Sequence, residues 1–211
     1  MFNEARIQPI VDCSGRVICY ELFSGVSNTN WSDAVACVAA DLRTLAVAKS
    51  LGCQADAPIG FNISFLSAIT IGLEWAQTLA GLMRPGWVVE LTEHCVRNEL
   101  SHKLTEFCQA LTATGLTLAL DDCTQGHLYG SRKFWRDSGA SIIKASVRDP
   151  SVESIALDAK DEGLSLFIEG VENAADFERA IALRADGVQG WYVGHPVAVF
   201  AQERVGYAEF A

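Results

Sequence analysis

The strongest constraint on the fold is a repeated ending. Short apolar runs recur along the chain, and each closes on a polar or charged residue. Asn62 ends GFN, Glu90 ends WVVE, Asp121 and Asp122 end LTLALDD, Lys144 ends SIIK, Glu169 ends SLFIE and Gln189 ends GVQ. Between these runs lie longer segments whose apolar residues recur at helical spacing. The run ends are spaced close to the ~30 residues of a βα unit. Strands alternating with helices imply a parallel sheet. A carboxylate at the end of a buried strand is costly unless something pairs with it. At the ends of parallel neighbours in one closed sheet, several such groups converge, repel and call for a cation. The pattern favours a barrel over an open sheet, with a site at the C-terminal ends of its strands.

The chain opens differently. RIQPIVD and VICYELF read as two strands around the turn CSGR, a hairpin-like start. The spacing then predicts a helix over 32–52, with Ser32 as cap and Gly52 as stop. One helix is expected over 66–83, and another over 98–115 with Asn98 as cap and Gly115 as stop. The segment SRKFWRDSG gives a weaker helical signal. Helices follow over 150–163, with Pro150 at the start, and over 173–187, capped by Asn173. GVQGWYV reads as the last strand.

At 211 residues and 50% hydrophobic content, the chain can bury one sizeable core. No Pro-, Gly- or Ser-rich linker divides it, so a single domain over 1–211 is expected. No apolar run reaches the roughly 20 residues that span a bilayer, and the N-terminus has no apolar signal-peptide core, so no membrane partner is expected. A net charge of −10 argues against polymeric nucleic acid, because that binding depends on Lys and Arg neutralising phosphates. A small phosphate-bearing ligand fits if metal ions supply positive charge. The seven Cys form no CxxC pair, which speaks against a zinc ribbon or disulfide scaffold and for reduced thiols in a cytoplasm.

Taken singly, each polar run end has a plain structural reading. Asp121-Asp122 suits a strand-to-loop turn. Glu93 favours the start of a helix, and Asn62 suits a position beside a turn. Lys144 and Glu169 suit an internal ion pair. Together at matching strand ends they favour a site. The donors are oxygens without His or Cys, which suits Mg²⁺ or Mn²⁺ better than zinc. Metals bridged by a shared Asp activate water for in-line attack on phosphorus. The four His lack HExxH spacing, and no Walker-type loop or GxSxG elbow is present.

In order, the stretches QPIVDCSGRVICYELF, FNIS, VVELTE, LALDD, IIKAS, FIEGVEN and VQGWYVGHP resemble the EAL-domain family, bacterial phosphodiesterases that linearise cyclic di-GMP. The resemblance covers nearly the whole chain. It implies an α/β fold, a modified TIM-like (β/α)₈ barrel with one antiparallel strand. It implies two divalent ions, Mg²⁺ or Mn²⁺, held by Glu21, Asn62, Glu90, Asp121 and Asp122. Lys144 would help hold the attacking water, and Glu169 would act as general base or bind the second metal. Gln189 and Leu22 would meet substrate, and Glu93 would steady the loop after the paired aspartates. Cyclic di-GMP is the implied ligand, and a homodimer or a regulatory protein partner is compatible with the family.

Some positions depart from the pattern. The EAL tripeptide reads Glu21-Leu22-Phe23. Gly25 stands where the family has an Arg that meets a substrate phosphate. The usual DDFGTG loop reads DDCTQG, and His195 replaces an Arg before Pro196. Three readings stay open: an active phosphodiesterase, a catalytically weak or inactive EAL module that senses cyclic di-GMP or binds a protein, and a scaffold barrel with no ligand. Cys123 lies among acidic groups that should raise its pKa, so a small-residue replacement is favoured over a redox switch.

Overall fold

The computed structural model describes residues 5–23, 29–51, 57–84, 86–92 and 100–199. Gly25, Glu93 and Asn98 lie outside these residues. Strands β1 (Arg6–Val11) and β2 (Val17–Phe23) form the antiparallel pair expected at the start, with Gln8 opposite Glu21. Asp12 organises the turn, accepting from the backbone N–H of Ser14 at 2.9 Å and of Arg16 at 3.1 Å.

From β2 onward the sheet is parallel. It runs through β3 (Ile59–Ile63), β4 (Val88–Leu91), β5 (Thr117–Leu120), β6 (Ile142–Ser146), β7 (Ser165–Glu169) and β8 (Gly187–Val188). β8 pairs back onto β1 at Val11 and Val188, which closes an eight-stranded barrel whose one antiparallel member is β1. A short β9 (Val197–Ala198) lies along the other end of β1. Closure leaves the barrel strands no free edges. The helices are α1 (Ala34–Leu51), α2 (Phe65–Ile71), α3 (Leu73–Leu82), α4 (Ser101–Ala113), α5 (Arg132–Ser138), α6 (Val152–Asp161) and α7 (Ala174–Ala182).

Three local readings change. The helix expected over 66–83 is two helices, because Gly72 adopts φ 64° and turns the chain between α2 and α3. α1 is capped by Asp33 instead of Ser32: its carboxylate accepts from Val35 N at 2.9 Å. The last strand stops at Val188, and Trp191–Val193 form a turn. The Asn173 cap on α7 is as expected, accepting from Asp176 N at 3.0 Å.

The apolar core has two compartments. Leu22, Phe61, Val89, Leu118, Ile143 and Ile168 point outward from the barrel into the layer under the helices. Ile10, Cys19, Val88, Ala119, Ile142 and Phe167 form a second cluster inside it. The strand pleat explains the division, since successive side chains point to opposite faces. Burying each Leu, Ile or Phe stabilises the fold by ~1.5–3 kcal/mol. Among the described residues, no helix is long and apolar enough to cross a membrane.

Candidate active site

The inner apolar cluster fixes what lies above it. On each parallel strand, the residue two positions further on faces the same interior. Cys19 leads to Glu21, Val88 to Glu90, Ala119 to Asp121, Ile142 to Lys144 and Phe167 to Glu169. Gly60 leads to Asn62 and Gly187 to Gln189. β1 runs the other way, so Ile10 leads back to Gln8. Each of the eight barrel strands thus carries one polar residue to the same end. Gly60 has a steric role in this layer: a Cβ there would sit 2.2 Å from Glu90 Oε1.

Lys144 is the centre of the group and is fully buried. Its Nζ lies 2.5 Å from Glu90 Oε2, 2.8 Å from Glu169 Oε1, and 3.1 Å from both Glu21 Oε2 and Asp121 Oδ1. Asn62 Nδ2 donates to Glu21 Oε1 at 2.8 Å. Gln189 Nε2 donates to Glu21 Oε2 at 2.7 Å and to Gln8 Oε1 at 3.2 Å. Gln8 Nε2 donates in turn to Gly194 O at 2.8 Å, tying the site to the loop after β8.

The electrostatics follow from four carboxylates, two buried and two partly exposed, meeting the buried Lys144 ammonium. Desolvation pushes Glu90 up to about 8, with the charges of Glu21 and Asp121 adding to it and Lys144 opposing. Burial likewise raises Glu169 well above the carboxylate range, against the pull of Lys144. Burial acts on Glu21 too, but the Lys144 charge and the amides of Asn62 and Gln189 outweigh it and hold that carboxyl low. Desolvation opposes the charge on Lys144, yet its surrounding carboxylates hold its pKa well above normal.

At neutral pH the cluster therefore keeps protons where additional positive charge could sit. Its oxygens are also under-used. Asn62 Oδ1 and Gln189 Oε1 are buried without hydrogen-bond partners. Asp121 Oδ1 is within ion-pair distance of Lys144 but makes no hydrogen bond of good geometry. Among the described residues, no group of three or more His, Cys, Asp or Glu is arranged as a metal cage; the Lys144 ammonium sits at the carboxylate centre. The excess of hard oxygen acceptors over cations still fits Mg²⁺ or Mn²⁺.

Asp122 is exposed and takes φ 45°, a left-handed turn that Asp tolerates better than most residues. That turn brings Asp121 and Asp122 to one cavity of about 380 Å³, shared with Glu21, Glu169 and Gln189. Leu22 is buried on the opposite face of β2 and does not line the cavity; Phe23 does. Cys123 is buried, and desolvation raises its pKa well above normal, as do Asp121 and Glu169. Burial and the neighbouring carboxylates thus oppose formation of the nucleophilic thiolate. Sequence reading missed Gln8. Its signal was positional: it sits opposite Glu21 across the hairpin and two residues from the buried Ile10.

A closed β/α barrel with one reversed strand and a ring of acidic residues around a lysine defines the structural class. The chain belongs to the EAL domain family, whose model matches residues 4–196. It is similar in structure to the PaMucR phosphodiesterase solved in complex with c-di-GMP, with TM-score 0.76 and 21% identity over 94% of this chain and 98% of that one. An EAL domain protein from Listeria monocytogenes EGD-e gives TM-score 0.71 and 19% identity, covering 93% and 89% of the two chains. The Bacillus subtilis YkuI protein, solved with c-di-GMP and calcium, gives TM-score 0.73 and 19% identity, covering 93% of this chain and 55% of that one. No curated protein matches the sequence significantly.

Proposed function

We propose that this chain is a cyclic di-GMP phosphodiesterase that hydrolyses one phosphodiester of the ring to give linear pGpG. The observation that carries the reading is the convergence of Glu21, Glu90, Asp121 and Glu169 on Lys144 beneath an open cavity. Stability alone gives little reason to keep such a cluster, since buried ion pairs seldom outperform apolar packing.

Glu21, Asn62, Glu90, Asp121 and Asp122 would hold two divalent cations, with Glu169 available to the second. Bound there, Mg²⁺ or Mn²⁺ would supply phosphate charge neutralisation and make water more acidic. Lys144 would orient the attacking water through its ammonium donors. Glu169, ionised once cations offset its burial, would take the water proton. The incoming oxygen forms a bond to phosphorus as the bond from phosphorus to the ribose 3′-oxygen breaks, and the 3′-oxygen takes its proton from solvent water. Gln189, fixed by Gln8 and Glu21, would close one side of the site and position the substrate.

The test is turnover of cyclic di-GMP by purified protein with Mn²⁺ or Mg²⁺, followed by chromatography, beside a Glu21→Ala control. The reading expects linear product that disappears in the control. No product at high enzyme concentration would overturn it in favour of a binding module.

A further inference from the structure

Among the described residues, three carboxylates are fully buried. Glu21 and Glu90 meet Lys144, but Asp41 lies on α1 and takes no part in that cluster. Its Oδ2 accepts from Ser64 N at 3.0 Å and from Ser64 Oγ at 3.1 Å, and the Ser67 hydroxyl also bonds to it. The arrangement costs the fold something. Desolvation raises the Asp41 pKa to about 6 although the serine hydrogen bonds oppose it. An apolar side chain would fill a join between two helices without that desolvation.

What the carboxylate gives in return is a grip on the backbone at one point. Ser64 is the first residue past β3, two beyond Asn62. The residue between them, Ile63, is held from the neighbouring strand: its carbonyl accepts from Thr92 N at 3.1 Å. The end of β3 is thus fixed on one side by β4 and on the other by α1. Asn62 depends on this. Its Nδ2 donates to Glu21 Oε1 at 2.8 Å, but its Oδ1 is buried without a hydrogen-bond partner. The placement of the strand end, rather than a hydrogen bond, aims that oxygen.

We propose that Asp41 is a positioning residue for the cation centre: by holding Ser64 it fixes the end of β3, and with it the unpaired Oδ1 of Asn62. The inference rests on the divalent-cation reading above and adds to it a carboxylate that touches neither metal nor substrate. Groups that orient a metal ligand directly are worth ~10- to 100-fold in metal affinity or activity. Asp41 acts one step further away, through the backbone, so a smaller effect is expected.

The experiment is calorimetric titration of Mn²⁺ into wild type, Asp41→Ala, Asp41→Ser, Asp41→Asn and Ser67→Ala, with thermal unfolding of each metal-free protein to verify that it is folded at the titration temperature. Asp41→Ala should bind Mn²⁺ roughly 3- to 10-fold more weakly than wild type. Asp41→Ser is polar but too short to reach Ser64 N, and it should lose as much; it replaces the alanine variant if that one fails to fold. Asp41→Asn keeps an oxygen acceptor and should recover affinity to within about twofold of wild type. Ser67→Ala disturbs the same join but leaves the bond from Ser64 N to Asp41, and it too should bind within about twofold. If wild type binds Mn²⁺ and the folded alanine or serine variant binds equally well, Asp41 only joins two helices, and the positioning role is overturned while the cation centre stands. Equal weakening in Ser67→Ala or Asp41→Asn would also overturn it, since damage to the join or loss of charge would then explain the effect. If wild type binds no Mn²⁺, both readings fall together.

Discussion

Lys144 is a buried ammonium within 3.1 Å of four carboxylates, and every charge in the group depends on it. Removing one partner from a buried ion pair costs ~3–5 kcal/mol, because the remaining charge is stranded. Lys144→Met should lower stability by about that amount in urea melts without divalent ions. Added Mn²⁺ should restore part of the loss; a variant as stable as wild type would show that the carboxylates do not depend on the lysine. Gly60 acts through space alone. Gly60→Ala would place a methyl 2.2 Å from Glu90 Oε1 and push that carboxylate out of position. Misplacing a group in an active site by about 1 Å can cost ~10²-fold in rate, so turnover should fall at least tenfold. Overpacking in a well-filled site costs ~1–3 kcal/mol, so the variant should still fold, as circular dichroism would verify.

Among the elements, the join between α1 and α2 carries a buried carboxylate outside the site. Asp41 on α1 accepts from Ser64 N at 3.0 Å and from Ser64 Oγ at 3.1 Å. Ser64 in turn caps α2 by accepting from Ser67 N at 3.2 Å, just beyond the strand that carries Asn62. Desolvation raises Asp41 from 3.8 to about 6, with the Ser67 and Ser64 hydrogen bonds opposing. A carboxyl whose folded pKa is raised binds more protons folded than unfolded, so its contribution is greatest below 3.8 and is lost as pH rises through 6. Asp41→Asn cannot titrate, so the stability of wild type relative to this variant should fall between pH 4 and 6, read from urea midpoints. A constant difference across that window would place the raised pKa in doubt. The sequence made most elements legible because the strand and helix periods differ and strand ends carry polar residues. It hid the break at Gly72, since apolar spacing continues on both sides of that glycine, and it hid the end of β8, since GVQGWYV is apolar throughout. Gln8 escaped notice because its partners are Gln189 and Gly194, more than 180 residues away. Phe23 was legible as a departure from the EAL tripeptide, but only the pleat shows that it shares a face with Glu21.

For the whole molecule, closure of the barrel converts a one-dimensional pattern into a site. Residues from Gln8 to Gln189 reach one end because β1 is reversed and the other seven strands are parallel. The chain as a whole is acidic, with a net charge of −10, and at the barrel mouth, among the described residues, four carboxylates meet the Lys144 ammonium. Burial raises Glu90 to about 8 and Glu169 well above normal, so the centre is partly protonated near neutral pH. Cations that enter must displace those protons. The most direct test is calorimetric titration of the protein with Mn²⁺ at pH 7 in buffers of different ionisation enthalpy, repeated on Asn62→Leu and Glu90→Gln. The account predicts saturable binding by wild type with net proton release, and markedly weaker binding by both variants. Absence of saturable binding, or binding indifferent to Asn62 and Glu90, would contradict the claim that this polar ring is a divalent-cation centre.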